Sequence, residues 1–252
     1  MNDSPKPSPN ERRITLYGRN TVIEILSDNQ LNIHRVHLAQ SNRPGDSILQ
    51  IQALCKSRSI PVLLHSKQAL SRISKNSRQD QGVAIDIVAP KHTLLDDYVL
   101  EAHHHNEEFF LLEGITNPQN LGMIIRSVAA SPMTGIILPT QGCAKLDPLV
   151  YKASAGCLLK TQILKSSTTK HALEILRKAK FQIIGLDGSA TQTVSEVQKR
   201  SKTVFLLGNE SAGLSDEALN ACDQVIHIPM RNDVESLNVA VTAGIIAFKD
   251  LS

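Results

Sequence analysis

The stretch IPMRNDVESLNVAVTAG, residues 228–244, constrains the fold of this chain more than any other. An apolar, β-rich approach ends at Pro229, a polar loop follows, and Ser-Leu-Asn opens an apolar helix. Ser236 is expected at the N-cap and Asn238 in the first turn, where side-chain oxygens satisfy free backbone N–H groups. A strand end, a loop and a helix N-terminus together form a place to hold a small polar ligand. Two earlier stretches share this design, FFLLEGITNPQNLGMIIRS at 109–127 and TVFLLGNESAGLSDEAL at 203–219.

The rest of the second half alternates in the same way. Strands are expected at 109–112, 135–138, 182–186, 204–207 and 224–228. Helices are expected at 121–130, 149–155, 170–179, 215–221 and 236–249. Near-continuous apolar strands between helices imply an α/β domain, a parallel sheet covered on both faces, with ligands at the carboxyl ends of strands.

The first half reads as a smaller α/β unit. Helices are expected at 21–28 and 46–58, the latter capped by Asp46, and strands at 34–40, 60–66 and 82–89. The expected division is a polar, proline-rich tail at 1–13, a first domain at 14–90, a link at 91–108 and a second domain at 109–252. The tail lacks the apolar core of a signal peptide, and no apolar run reaches the ~20 residues that span a bilayer. Adjacent His103, His104 and His105 read as a solvated segment, since neighbouring imidazoles rarely face one ion. No metal site is expected.

Charge is uneven along the 252 residues. Residues 1–90 carry 12 Lys and Arg against 7 Asp and Glu, and residues 91–252 carry 15 against 17. A basic first unit points to a polyanion, although a solvated basic surface reads equally well. Cys55, Cys143, Cys157 and Cys222 form no CxxC pair, which disfavours zinc and disulfide frameworks and suits reduced thiols in the cytoplasm.

The loops exclude two chemistries. Gly208 and Gly213 belong neither to a phosphate loop, which needs Gly-Lys-Ser/Thr, nor to the dinucleotide fingerprint. In the first loop Pro118 fixes the backbone after Asn117, Asn120 is expected to cap the following helix, and Gly122 permits close approach of a neighbour. Arg126 stands out in an apolar run; it suits either a salt bridge or a bidentate hold on phosphate. Glu210, between the two glycines, reads as a surface acid or a helix-start charge. His227 reads as a structural strand residue.

In order, spacing and residue type, the three loops resemble motifs 1, 2 and 3 of the SpoU class of RNA ribose 2′-O-methyltransferases, in the knotted SPOUT superfamily. YGRNTVIEIL at 17–26 and QGVAIDIVAP at 81–90 resemble that family's ribosomal-protein-like RNA-binding domain. The resemblance implies a deep C-terminal trefoil knot, a rare exception to ordinary connection rules. It also implies S-adenosylmethionine as cofactor, held by Gly208, Ile228 and Leu237 with Leu207 and Met230 nearby. Asn120, Arg126, Glu210, Ser236 and Asn238 match the family's active-site positions. A homodimer acting on structured RNA, ribosomal more than transfer RNA, and not on DNA, is implied as well. A tRNA enzyme, a base methylase or a non-catalytic RNA-binding protein of the same fold are the alternatives. Two departures stand out. Asn117 replaces the usual Asp but retains an Asx turn, and Asn232 stands where glycine is common but tolerates positive φ.

Overall fold

The computed structural model describes residues 13–101 and 106–249. It divides into two compact units, Met1–Lys91 and His92–Ser252. Residues 1–12 of the expected tail and the histidines at 103–105 lie outside the described residues.

The first unit runs β1 (Arg13–Tyr17), α1 (Arg19–Ser27), β2 (Ile33–Ala39), α2 (Asp46–Ser57), β3 (Val62–His65), α3 (Lys67–Ser74) and β4 (Val83–Val88). Its sheet order is β1-β4-β2-β3, with β4 antiparallel to both neighbours and β2 parallel to β3. Leu16, Val36, Leu38, Ile85 and Ile87 are fully or nearly fully buried, with Thr15, Arg35, His37 and Asp86 at positions between them. Two elements are absent from the sequence expectation. Arg13, assigned to the tail, opens β1, and α3 starts from Ser66, whose hydroxyl accepts from Ala69 N at 3.2 Å. Asp46 is the first residue of α2 and Gly45 its cap; the aspartate instead supplies negative charge to the first turn.

The second unit runs β5 (Thr93–Leu94), α4 (Leu95–Tyr98), β6 (Glu107–Leu112), α5 (Pro118–Ala129), β7 (Gly135–Pro139), α6 (Pro148–Ala153), β8 (Gln162–Ser166), α7 (Thr169–Lys178), β9 (Gln182–Leu186), β10 (Gln192–Thr193), β11 (Lys202–Leu207), α8 (Asp216–Asn220), β12 (Gln224–His227) and α9 (Val239–Ala247). The eight strands form one sheet, ordered β10-β12-β9-β11-β6-β7-β8-β5, with every neighbouring pair parallel. Phe109, Phe110, Leu111 and Leu112 of β6 are all fully buried. A strand covered on both faces reads as a continuous apolar run for this reason.

The expected link at 91–108 is part of this unit. Leu95 and Tyr98 enter the core cluster with Phe109 and Leu173, and β5 extends the sheet beside β8. Asp96 and Asp97 lie in one short helical turn, where Asp96 accepts from His171 Nε2 at 3.1 Å.

Gly122 brings α5 and α6 together: a Cβ there would lie 2.3 Å from Ala153 Cβ and 2.9 Å from Ser154 N. The expected role of this glycine therefore holds. Strand β8, between α6 and α7, carries Gln162 and Lys165 in its five residues, and this polarity hid it in the sequence.

Candidate active site

The carboxyl ends of β9, β11 and β12 lie side by side, and three loops rise from them. Between the loops is a cleft of about 340 Å³. Leu186, Leu207, Ile226, Ile228, Leu237 and Val239 give it apolar walls, while Asp187, Glu210, Ser236 and Thr242 add polar groups. A cleft of this size and mixed lining suits a nucleoside-sized ligand. All five residues expected at the cofactor, Leu207, Gly208, Ile228, Met230 and Leu237, line it.

The loop after β11 is pinned by its own backbone. Asn209 and Gly213 exchange backbone hydrogen bonds of 3.1 and 2.9 Å, and Asn209 Oδ1 accepts from Ser211 N and Ala212 N. Asn209 Nδ2 donates to Gly114 O at 2.8 Å, which ties this loop to the loop after β6. Gly208 must be glycine, since a Cβ would sit 2.4 Å from the Gly213 carbonyl carbon. Ser215 ends the loop by capping α8 and by bonding Glu113 through both its N–H and its hydroxyl.

Glu210 presents Oε1 to two side-chain amides. Asn120 Nδ2 donates to it at 2.5 Å and Asn238 Nδ2 at 2.6 Å. Asn238 Nδ2 also reaches Asn120 Oδ1 at 3.1 Å. Three residues far apart in sequence thus close one cluster at the cleft edge. Both amides converge on one carboxylate oxygen, and hydrogen bonds of this charge-assisted kind are the stronger ones.

Two expected caps are corrected. Asn117 caps α5, accepting from Gln119 N at 2.9 Å, while Asn120 lies inside the first turn and is only 6% exposed. Its side chain is thereby released to the cluster. Asn238, not Ser236, caps α9, accepting from Ala240 N at 2.9 Å. Ser236 instead lines the cleft. The departures from the family pattern are accommodated as expected: Asn117 forms its Asx contact, and Asn232 adopts φ 58°.

Arg126 is not joined to this cluster. It is exposed in the last turn of α5, six residues beyond Asn120, about 9 Å along the helix axis. Neither the expected salt bridge nor a bond to Glu210 forms among the described residues.

Sequence reasoning missed as cleft residues Leu186, which ends β9, Asp187 and Gly188 after it, and His227, which is in a strand as expected. His227 ends β12, lines the cleft and bonds Gln192 O from Nδ1 at 3.1 Å. The available signal was topological: β9 lies between β11 and β12, so its carboxyl end faces the same cleft.

A fully parallel sheet with a cleft at its carboxyl rim defines the fold as a ligand-binding α/β type. Comparison with known proteins makes the class definite. The SpoU rRNA Methylase family profile matches residues 108–248, and the profile for RNA 2′-O ribose methyltransferase substrate binding matches residues 15–93. The chain belongs to the SpoU rRNA methylase family. It is 29% identical to the 23S rRNA (guanosine-2′-O-)-methyltransferase RlmB of Xylella fastidiosa, over 95% of this chain and 96% of that protein. It is also 29% identical to a protein of Mycolicibacterium gilvum named as an uncharacterized tRNA/rRNA methyltransferase, over 91% of this chain and 73% of that one. In fold it is similar to the SpoU methyltransferase AviRb of Streptomyces viridochromogenes, crystallised with AdoMet, at TM-score 0.77 and 21% identity, covering 94% of this chain and 88% of that one.

Proposed function

We propose that the protein transfers a methyl group from S-adenosylmethionine to a ribose 2′-hydroxyl of ribosomal RNA. The carrying observation is the cleft at the rim of β9, β11 and β12, with the Asn120–Glu210–Asn238 cluster at its edge. Its apolar walls and few polar groups fit an adenosyl ligand. Leu207, Gly208, Ile228, Met230 and Leu237 are the residues that hold it. When bound, the cofactor supplies a methyl group already activated on a sulfonium.

Since the donor is activated, positioning of the hydroxyl is the main demand on the protein. Glu210 fixes the two asparagine amides, and Asn120, Ser236 and Asn238 hydrogen-bond the target ribose. Arg126 holds the neighbouring phosphate and stabilises the oxyanion that develops at the 2′-oxygen. A guanidinium stays protonated, so it acts by charge and not as a base.

The active assembly is a homodimer. Met123 on α5 and Val241, Ile245 and Phe248 on and after α9 are 48%, 46%, 38% and 40% exposed. A helix apolar on all sides is one that is covered on all sides. The same surface brings Arg126 of one protomer toward its partner's cleft. A trefoil knot is part of this reading. After β12 the chain returns past β9 and β11, and α9 packs against α5, the helix that follows β6. Residues 15–93 form the RNA-binding unit, and the site of action is the cytoplasm. Among the described residues, no helix is long and apolar enough to cross a membrane.

The test is methyl transfer to RNA and DNA of one sequence. Only the RNA offers a 2′-hydroxyl. Transfer to RNA alone is expected, and equal transfer to both rules out a 2′-oxygen target.

A further inference from the structure

On one face of the first unit's sheet, a row of polar side chains crosses four strands. Thr15 of β1 donates to Asp86 Oδ1 at 2.7 Å, and Arg35 of β2 lies 3.7 Å from Asp86 Oδ2. His37 of β2, only 5% exposed, bonds Asp86 Oδ2 through Nε2 at 3.0 Å and His65 Nε2 of β3 through Nδ1 at 2.9 Å. At the other end of the row, His34 Nε2 lies 3.0 Å from Arg13 Nη1 and also within bonding distance of Arg35 Nη2.

The row is unbalanced in charge. Asp86 is the one carboxylate in these contacts, and Thr15, His37 and Arg35 already claim it. Arg13 and Arg35 converge on a single imidazole nitrogen that must stay unprotonated to accept from them. Two guanidiniums drawn together with no second acid in contact among the described residues form a ready site for an anion with several oxygens. His37 extends the row to the sheet edge. A carboxylate only accepts, so His37 donates from Nε2 to Asp86, and its Nδ1 shares one proton with His65 Nε2.

We propose that this sheet face is a docking surface for RNA backbone phosphates, contacted by Arg13, Arg35 and His65. The proposal rests on the reading of the protein as an RNA methyltransferase and places one RNA contact on named residues. It carries a proton linkage. His37 faces His65 directly, with Asp86 and Arg35 behind it; burial and then His37 push the His65 pKa below its usual 6.5. A phosphate beside His65 reverses this, so binding takes up a proton as pH falls.

The test is binding of bacterial large-subunit ribosomal RNA, measured against salt at pH 7.5 and pH 5.5, with S-adenosylhomocysteine calorimetry alongside. Loss of one phosphate contact in Arg13→Gln is expected to flatten the log–log salt slope by about 0.9 and to weaken binding about eightfold at 0.1 M salt. Arg13→Lys keeps the charge and is expected to keep the slope. His65→Gln is expected to lose the affinity gain at pH 5.5 and to bind as wild type does at pH 7.5. S-adenosylhomocysteine binding is expected unchanged in all three. An unchanged slope in R13Q, or a retained pH gain in H65Q, overturns this inference alone. A wild-type protein that binds S-adenosylhomocysteine but no RNA overturns the RNA reading with it.

Discussion

Asn238 donates its side-chain amide to Glu210 at 2.6 Å while the oxygen of the same amide caps α9 at Ala240. One side chain therefore sets both the start of the last helix and the position of the acid at the cleft edge. Glu210→Gln is expected to lower the methyl-transfer rate about tenfold to a hundredfold, the worth of a hydrogen bond to a charged group. S-adenosylhomocysteine affinity is expected to change less than threefold. Single-turnover kinetics with calorimetry separates the two; an unchanged rate removes Glu210 from the positioning role.

Arg126→Ala is expected to lower methyl transfer by roughly 10²–10³-fold, the usual effect of removing one group that stabilises developing charge. Cofactor binding is expected to be retained, since Arg126 does not line the cleft. Normal turnover in this variant contradicts the role assigned to it.

Gly122→Ala sets two effects against each other. Alanine in a helix gains about 1 kcal/mol over glycine. The added Cβ, 2.3 Å from Ala153 Cβ and 2.9 Å from Ser154 N, forces α5 and α6 apart. Overpacking of this kind costs about 1–3 kcal/mol, so net destabilisation is expected in urea unfolding. A stabilised G122A shows that the two helices separate freely.

How much was legible in the sequence follows from these contacts. Strands buried on both faces announced themselves as apolar runs, and β9 was placed at 182–186 with no error. Short strands carrying polar residues, β5, β8 and β10, were hidden because their membership depends on neighbours distant in sequence. The five residues expected at the cofactor, all of which line the cleft, were readable from motifs. The motifs also brought Asn120, Glu210 and Asn238 to one site, but the hydrogen bonds among them were not readable, since local reasoning made Asn120 a cap and placed Asn238 in a first turn. Asp187 shows the limit from the other side: nothing around it in sequence signals a cleft, and only the β11-β9-β12 order brings it there.

Phe248→Asp tests the dimer. The ring is 40% exposed beside the exposed Val241 and Ile245. A charge there is expected to shift the protein to monomer in sedimentation equilibrium, with activity lost. A wild-type protein that sediments as a monomer at micromolar concentration contradicts the assembly.

Stability at alkaline pH carries the mark of Lys165. Burial holds its amine at about 8, below the usual 10.5. The unfolded chain therefore binds the extra proton between these values, and stability contributed through this group rises as pH rises from about 8 toward 10.5. Lys165→Met is expected to lose that rise relative to wild type in urea unfolding at pH 7.5 and 9.5. Parallel curves for the two proteins contradict the assignment.

The central claim is tested most directly by the chemical position of the transferred methyl. Ribosomal RNA incubated with the protein and methyl-labelled S-adenosylmethionine is hydrolysed in alkali, which cleaves only where a free 2′-hydroxyl adjoins the phosphate. The account predicts label in alkali-resistant dinucleotides. Label in mononucleotides, with the methyl on a base, contradicts it.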